Sequence, residues 1–323
     1  MNRWSAMKLP PTSILSYTQS NMNNYRTGPW LVALASLLWA IDAPFRKYLT
    51  GELSSTTIVF MEHLLISLVV LAWLWPQLKE LKNLKWPQWL ALIFVSLGGS
   101  ALATIFFTQS FHYLNPSVAI LLQKVQPLVA ILLAVIVLKE KLSQRFWLWA
   151  LLAIGGAYVV TFPDLSVTGL TLSGGSLGVV LALLAAFFWG GSTVFGRYLL
   201  RTLSFKAMTA VRFLAALVFL FGIQLYYSRV SEISLASGRD WSFVFIIAIV
   251  AGFISLFIYY RGLKFTSASV ATLAELTFPV AAVVVNWIFL DATLTSMQIV
   301  GSAVLLFSIA KLSLVNVNIA PGS

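Results

Sequence analysis

Six ionisable residues, Asp42, Glu62, His63, Lys124, Arg212 and Glu275, stand inside long apolar runs of a 323-residue chain. Charge is costly in hydrocarbon, so a group retained there faces a cavity, a partner or the membrane surface. A carboxylate shielded from bulk water can serve as a proton carrier, which makes Asp42, Glu62 and Glu275 candidate coupling groups. Asp42 has a plainer alternative. Arg46 follows at helical ion-pair spacing, and with Lys47 the three would form a wet cluster at the outer end of a span. His63 is a candidate gate or pH sensor, or else a hydrogen-bonded packing residue. It directly follows Glu62, so the two point about 100° apart on a helix and share no narrow face. Trp39 and Trp189 lie near mid-span, where flat rings either wall a site for an apolar or cationic moiety or simply pack.

Gln123, Lys124 and Glu275 lie beside a second device, the prolines Pro127 and Pro279. A proline cannot donate to the carbonyl four residues earlier, and those carbonyls belong to Gln123 and Glu275. Two interrupted helices are expected to expose a free carbonyl and a polar side chain at matching depths, the pattern of a mid-membrane binding site. A packing kink, capped by water or a nearby Ser or Thr, is the alternative. Gln123, Lys124 and Glu275 are expected to line one central cavity, with Trp39, Trp189 and Asp42 as further candidates for substrate contact.

The elements that must position these residues follow from composition. The chain is 59% hydrophobic and 10% charged, with a mean hydropathy of +0.90, whereas soluble domains carry about a quarter charged residues. A soluble globule and a disordered chain are both excluded. Continuous apolar runs of about 20 residues point to membrane helices and against a β-barrel. The spans are read as 30–48, 55–75, 88–110, 116–138, 144–162, 176–199, 205–227, 241–263, 268–290 and 295–314. Of the 21 Lys and Arg, fifteen fall on the side of the N-terminus, four on the other and two within spans. Both termini are therefore expected in the cytoplasm. The +11 net charge becomes a topology signal, and nucleic-acid binding loses its support. Cysteine is absent and there are two histidines, which argues against thiol chemistry and a metal site. No phosphate-cradling loop or nucleophile triad is present, so an enzyme is not expected, and neither is a cofactor. The Lys79–Lys85 run reads as a solvated loop, and the pairs Ser96/Ser100 and Ala248/Gly252 read as packing positions.

The chain repeats itself. Gly28, Leu31, Leu34, Ala35, Trp39, Phe45, Tyr48 and Leu49 recur identically 150 positions later. Further on, Trp89 matches Trp241 and Pro127 matches Pro279 at an offset of 152. Each half holds five spans, an odd number, so the second is inverted relative to the first. The fold class is an all-α polytopic membrane protein of ten helices in two inverted five-helix repeats. The divisions are a cytoplasmic tail (1–27), a first repeat (28–165), a linker (166–176), a second repeat (177–315) and a C-terminal tail (316–323). Glu62 and Arg212 occupy equivalent positions. The inversion is expected either to join them in a salt bridge across the halves, or to leave them separately satisfied near an interface.

Leu34–Lys47 and its echo Leu184–Arg197 resemble the first helix of EamA-type members of the drug/metabolite transporter superfamily. So does Leu114–Leu142, with its small-residue start, mid-helix proline and closing Glu140-Lys141-Leu142. Two departures stand out: Asp291-Ala292-Thr293-Leu294 replaces the acidic motif in the second half, and position 124 is a lysine. The resemblance implies a central cavity, alternating access, and a secondary transporter of small organic metabolites, with export the expected direction. The mixed interior charge suits a zwitterion such as an amino acid. The competing readings are a proton-coupled antiporter of amphipathic cations and a membrane enzyme or assembly factor. Expected partners are a small-molecule substrate, the bilayer of the inner membrane, protons, and a second copy of the chain in a homodimer.

Overall fold

Serine caps five of the helices. Ser54, Ser143, Ser204, Ser237 and Ser267 each sit in extended conformation at an N-cap and accept a hydrogen bond from the backbone N–H three residues on. A computed structural model describes residues 11–114, 119–120, 122–162, 164–165, 175–281, 284 and 295–319. Its helices are α1 (Pro11–Trp39), α2 (Asp42–Leu49), α3 (Ser55–Leu74), α4 (Trp86–Tyr113), α5 (Gln123–Val137) and α6 (Gln144–Thr161). The second half supplies α7 (Gly175–Leu199), α8 (Phe205–Tyr226), a short α9 (Glu232–Leu235), α10 (Gly238–Leu263), α11 (Ala268–Ala281) and α12 (Ser296–Ile319). Among the described residues, seven helices are long and apolar enough to cross a membrane, and three shorter apolar helices, α5, α6 and α11, complete the ten.

Packing follows an inverted repeat. α1 lies on α10 as α7 lies on α4; α3 faces α8, α5 faces α11 and α6 faces α12. The closest approaches need glycine. A side chain on Gly262 would come within 2.7 Å of the Gly28 carbonyl, and one on Gly156 within 2.9 Å of the Gly301 carbonyl.

Three sequence expectations change. The first span is not one helix: it breaks at Ala40–Ile41 between α1 and α2. Pro44 cannot donate to the carbonyl of residue 40, and its counterpart Val194 lets α7 run unbroken. The helix leading into this span begins at Pro11, inside the expected tail. The Lys79–Lys85 run is partly 3-10 helix (Trp75–Asn83), though its lysines are solvent-exposed as expected. Most of the 166–176 linker, the Asp291–Leu294 motif, Asn115–Val118 and the end of the ninth span lie outside the described residues.

Carboxylates from one half cap helices of the other. Glu80 accepts from the Ser204 N–H (2.6 Å) and hydroxyl (2.8 Å) at the start of α8. Its counterpart 152 positions on, Glu232, accepts from the Ser54 N–H (3.3 Å) and hydroxyl (2.6 Å) at the start of α3. Glu140 accepts from the N–H groups of Ala268 (2.7 Å) and Ser269 (3.1 Å) at the start of α11.

Candidate functional site

α5 and α11 are interrupted at the same place. Three residues of 3-10 helix, Gln123–Val125 and Glu275–Thr277, precede Gln126-Pro127 and Phe278-Pro279. The Glu275 carbonyl does not stay free, because the Ser36 hydroxyl of α1 donates to it at 2.6 Å. The expected exposed carbonyl is corrected there to a capped one; a serine within reach removes the cost of an unpaired acceptor. The Glu275 side chain carries the site. Its carboxylate accepts from Gln126 Nε2 (2.5 Å), the Tyr259 hydroxyl (2.8 Å) and the Thr193 hydroxyl (3.3 Å), so α5, α7 and α10 all converge on it.

A second network begins on α2. The Arg46 guanidinium, 2% exposed, donates to Asp42 (2.8 Å), to Glu62 (2.9 Å) and to the Thr108 hydroxyl (2.9 Å), which in turn donates to the Thr104 carbonyl (2.7 Å). The helical-spaced Asp42–Arg46 pair is formed, but within the protein and not as a wet outer cluster. Lys47 points away and donates to the Phe111 carbonyl. Of the two arrangements expected for Glu62 and Arg212, the bridge is not formed and the charges are separately satisfied, since Glu62 is taken by Arg46. Arg212 instead donates to the Ser100 hydroxyl (2.5 Å), the Tyr260 hydroxyl (2.7 Å) and the Gly99 carbonyl (3.0 Å). Ser100, read from sequence as a packing position, is therefore also a polar partner. It lies in a π-helical stretch, Phe94–Leu102, matched by Ile247–Ile254 in α10. Such wide turns re-aim backbone groups and recur at functional sites.

Both networks face one cavity of about 980 Å³, its open mouth included. Gln123, Glu275, Trp39, Trp189, Asp42, Glu62, His63 and Arg212 are all on its wall. Lys124 is not: it lines a smaller adjoining cavity that shares Trp39, Gln123 and Glu275, and its ammonium sits 4.5 Å over the Phe278 ring. Two aromatic pairs flank the main cavity. Trp39 packs on Tyr259 (5.4 Å between centroids) and Trp189 on Phe107 (5.1 Å). These pairs are images of one another, for Trp189 follows Trp39 by 150 positions and Tyr259 follows Phe107 by 152. Gln126, Thr193, Tyr259 and Tyr260 are neutral and so carry no mark of cost in an apolar run. The one signal that could have found any of them is the place of Gln126 next to Pro127.

The model of the EamA-like transporter family matches residues 26–162 and 176–314, one match per repeat. The chain is 34% identical over 302 residues to the riboflavin transporter ImpX of Fusobacterium nucleatum, covering 91% of this chain and 100% of that protein. It is 26% identical over 180 residues to YhbE, an uncharacterized inner membrane transporter of Escherichia coli, covering 55% of this chain and 56% of that one. A solved crystal structure shares the fold at a TM-score of 0.67 and 18% identity, covering 90% of this chain and 98% of the other. With two family matches laid over the two inverted repeats, the chain belongs to the EamA-like transporter family, as a membrane-embedded transporter of the drug/metabolite superfamily.

Proposed function

We propose that this chain carries a planar heteroaromatic solute of riboflavin's kind across the inner membrane, by alternating access of the central cavity to either side. The carrying observation is the pair of symmetry-related aromatic walls, Trp39 with Tyr259 and Trp189 with Phe107. Aromatic rings drawn from both halves into one cavity wall suit an aromatic solute better than a compact zwitterion. The polar groups between them supply orientation, as few and well-placed polar groups do in an apolar cavity. Part of the interior charge is already spent within the protein, Asp42 and Glu62 on Arg46, which weakens the case for an amino acid. Similarity to a protein named a riboflavin transporter, along nearly the whole chain, supports the same reading. Glu275, Asp42 and Glu62 are the candidate proton carriers, and both termini lie in the cytoplasm on the distribution of Lys and Arg.

The test is flux of labelled riboflavin in proteoliposomes, loaded from either side, against a panel of amino acids and amphipathic cations. Saturable riboflavin flux is expected. Flux of an amino acid or a cation without riboflavin flux overturns the substrate class. A pH gradient is expected to drive transport in the wild type and not in Glu275→Gln; indifference to the gradient removes protons from the cycle and leaves a facilitator.

A further inference from the structure

One end of the cavity carries unspent hydrogen-bonding groups of both kinds. His63 is 2% exposed, and its Nδ1 lies 2.9 Å from the Val59 carbonyl. A carbonyl only accepts, so Nδ1 carries the hydrogen and the neutral ring presents Nε2 as a lone pair. His63 lines the cavity, and that nitrogen is buried with no partner among the described residues. The Ser192 hydroxyl, also 2% exposed, is likewise unpartnered. Arg212 has three oxygen partners, all neutral, and no carboxylate in ion-pair range among the described residues. A guanidinium has five N–H groups, so donors remain. All three residues line the same cavity. His63 packs edge-on against Phe213, the residue after Arg212 (5.5 Å), and a side chain on Gly99 would meet both Ser192 Oγ and Arg212. By contrast, three donors already serve the Glu275 carboxylate.

Leaving buried polar atoms unpaired is costly, and the ligand that relieves the cost must match all three. A carboxylate offers acceptors alone and sets a lone pair against His63 Nε2. An ammonium offers donors alone and meets the Arg212 charge. A carbonyl beside a ring N–H satisfies both: the oxygen accepts from Arg212 and Ser192, and the N–H donates to His63. We propose that His63, Ser192 and Arg212 form a subsite that reads the cyclic imide edge of the substrate, the carbonyl–N–H–carbonyl edge that riboflavin's ring system carries. This assignment rests on the planar-heteroaromatic reading above and adds to it the orientation of the ring.

The experiment is competition against labelled riboflavin in proteoliposomes, with unlabelled riboflavin and N3-methylriboflavin as competitors. In the methylated compound the N–H donor is gone and the aromatic face is kept. For the wild type, methylation is expected to weaken competition by about tenfold or more, about 1.4 kcal/mol. In His63→Phe, which installs the residue found at the equivalent position 213, the two compounds are expected to compete equally. Equal competition in the wild type overturns the subsite while riboflavin transport stands. Absence of riboflavin flux altogether overturns the reading beneath it. Should His63→Phe fail to fold, the wild-type comparison decides alone.

Discussion

Arg46 joins two acidic side chains from different elements with one guanidinium, at 2.8 Å to Asp42 on α2 and 2.9 Å to Glu62 on α3. Removing one member of a buried ionic group leaves the others uncompensated, at about 3–5 kcal/mol. Arg46→Gln is expected to lower the melting temperature and folded yield in detergent sharply. The triple variant with Asp42→Asn and Glu62→Gln is expected to recover most of the loss. If Arg46→Gln melts like wild type, the network does not hold α2 in place. Arg46→Lys should rescue poorly, because a lysine lacks the planar fork that spans two carboxylates. At this scale the sequence was legible where a residue was expensive. Asp42, Glu62, His63, Arg212 and Glu275 betray themselves as polar groups in hydrocarbon, and all reach the cavity. Their pairing was not legible. Equivalence under an inverted repeat places Glu62 and Arg212 at matching positions, but they meet only if both lie on the axis. The turn at Pro44 swings Arg46 in first.

Element boundaries are marked by N-cap serines, and two of these are shared between halves. At Glu232, burial acts to raise the carboxyl. Hydrogen bonds from the Ser54 and Thr57 hydroxyls and the Ser54 amide, with Arg229 beside it, hold it below its ordinary 4.5. A carboxylate with a depressed folded value stabilises above its unfolded pKa and loses that contribution as pH falls through the folded one. Wild type is therefore expected to melt higher than Glu232→Gln at neutral pH, with the gap closing below pH 4.5. A gap that stays constant with pH would mean that the charge of Glu232 does not support the cap. Neutral hydrogen-bonding residues escape a sequence reading at this level. Gln126, Thr193 and Tyr259 belong to residue types common in membrane helices for packing alone, and only the convergence of α5, α7 and α10 makes them partners of Glu275. The π-helical stretches in α4 and α10 were equally hidden, because an apolar run does not announce a wider turn.

The whole molecule is a pair of inverted halves, and this was the most legible level. Aligned Trp and Pro landmarks persist at offsets of 150 and 152, where matched Leu or Ala would mean little. Orientation in the membrane is open to direct test, since the chain has no cysteine of its own. In intact cells, a thiol introduced as Lys82→Cys should be shielded from an impermeant reagent and one introduced as Ser234→Cys should react. The reverse pattern would invert the topology drawn from the basic residues. The shared caps carry one more consequence. In the alternating-access cycle proposed above, inverted symmetry makes one extreme the other with the roles of the halves exchanged. A bond present with its twin, as Glu80–Ser204 is with Glu232–Ser54, maps onto itself in that exchange and can persist throughout, like the two pins of a rocker. Glu140 has alanine at its twin position, Ala292. No carboxylate at the twin position can repeat its grip on α11, so in the proposed cycle the two extremes are expected to differ in energy, and the resting machine to lean one way.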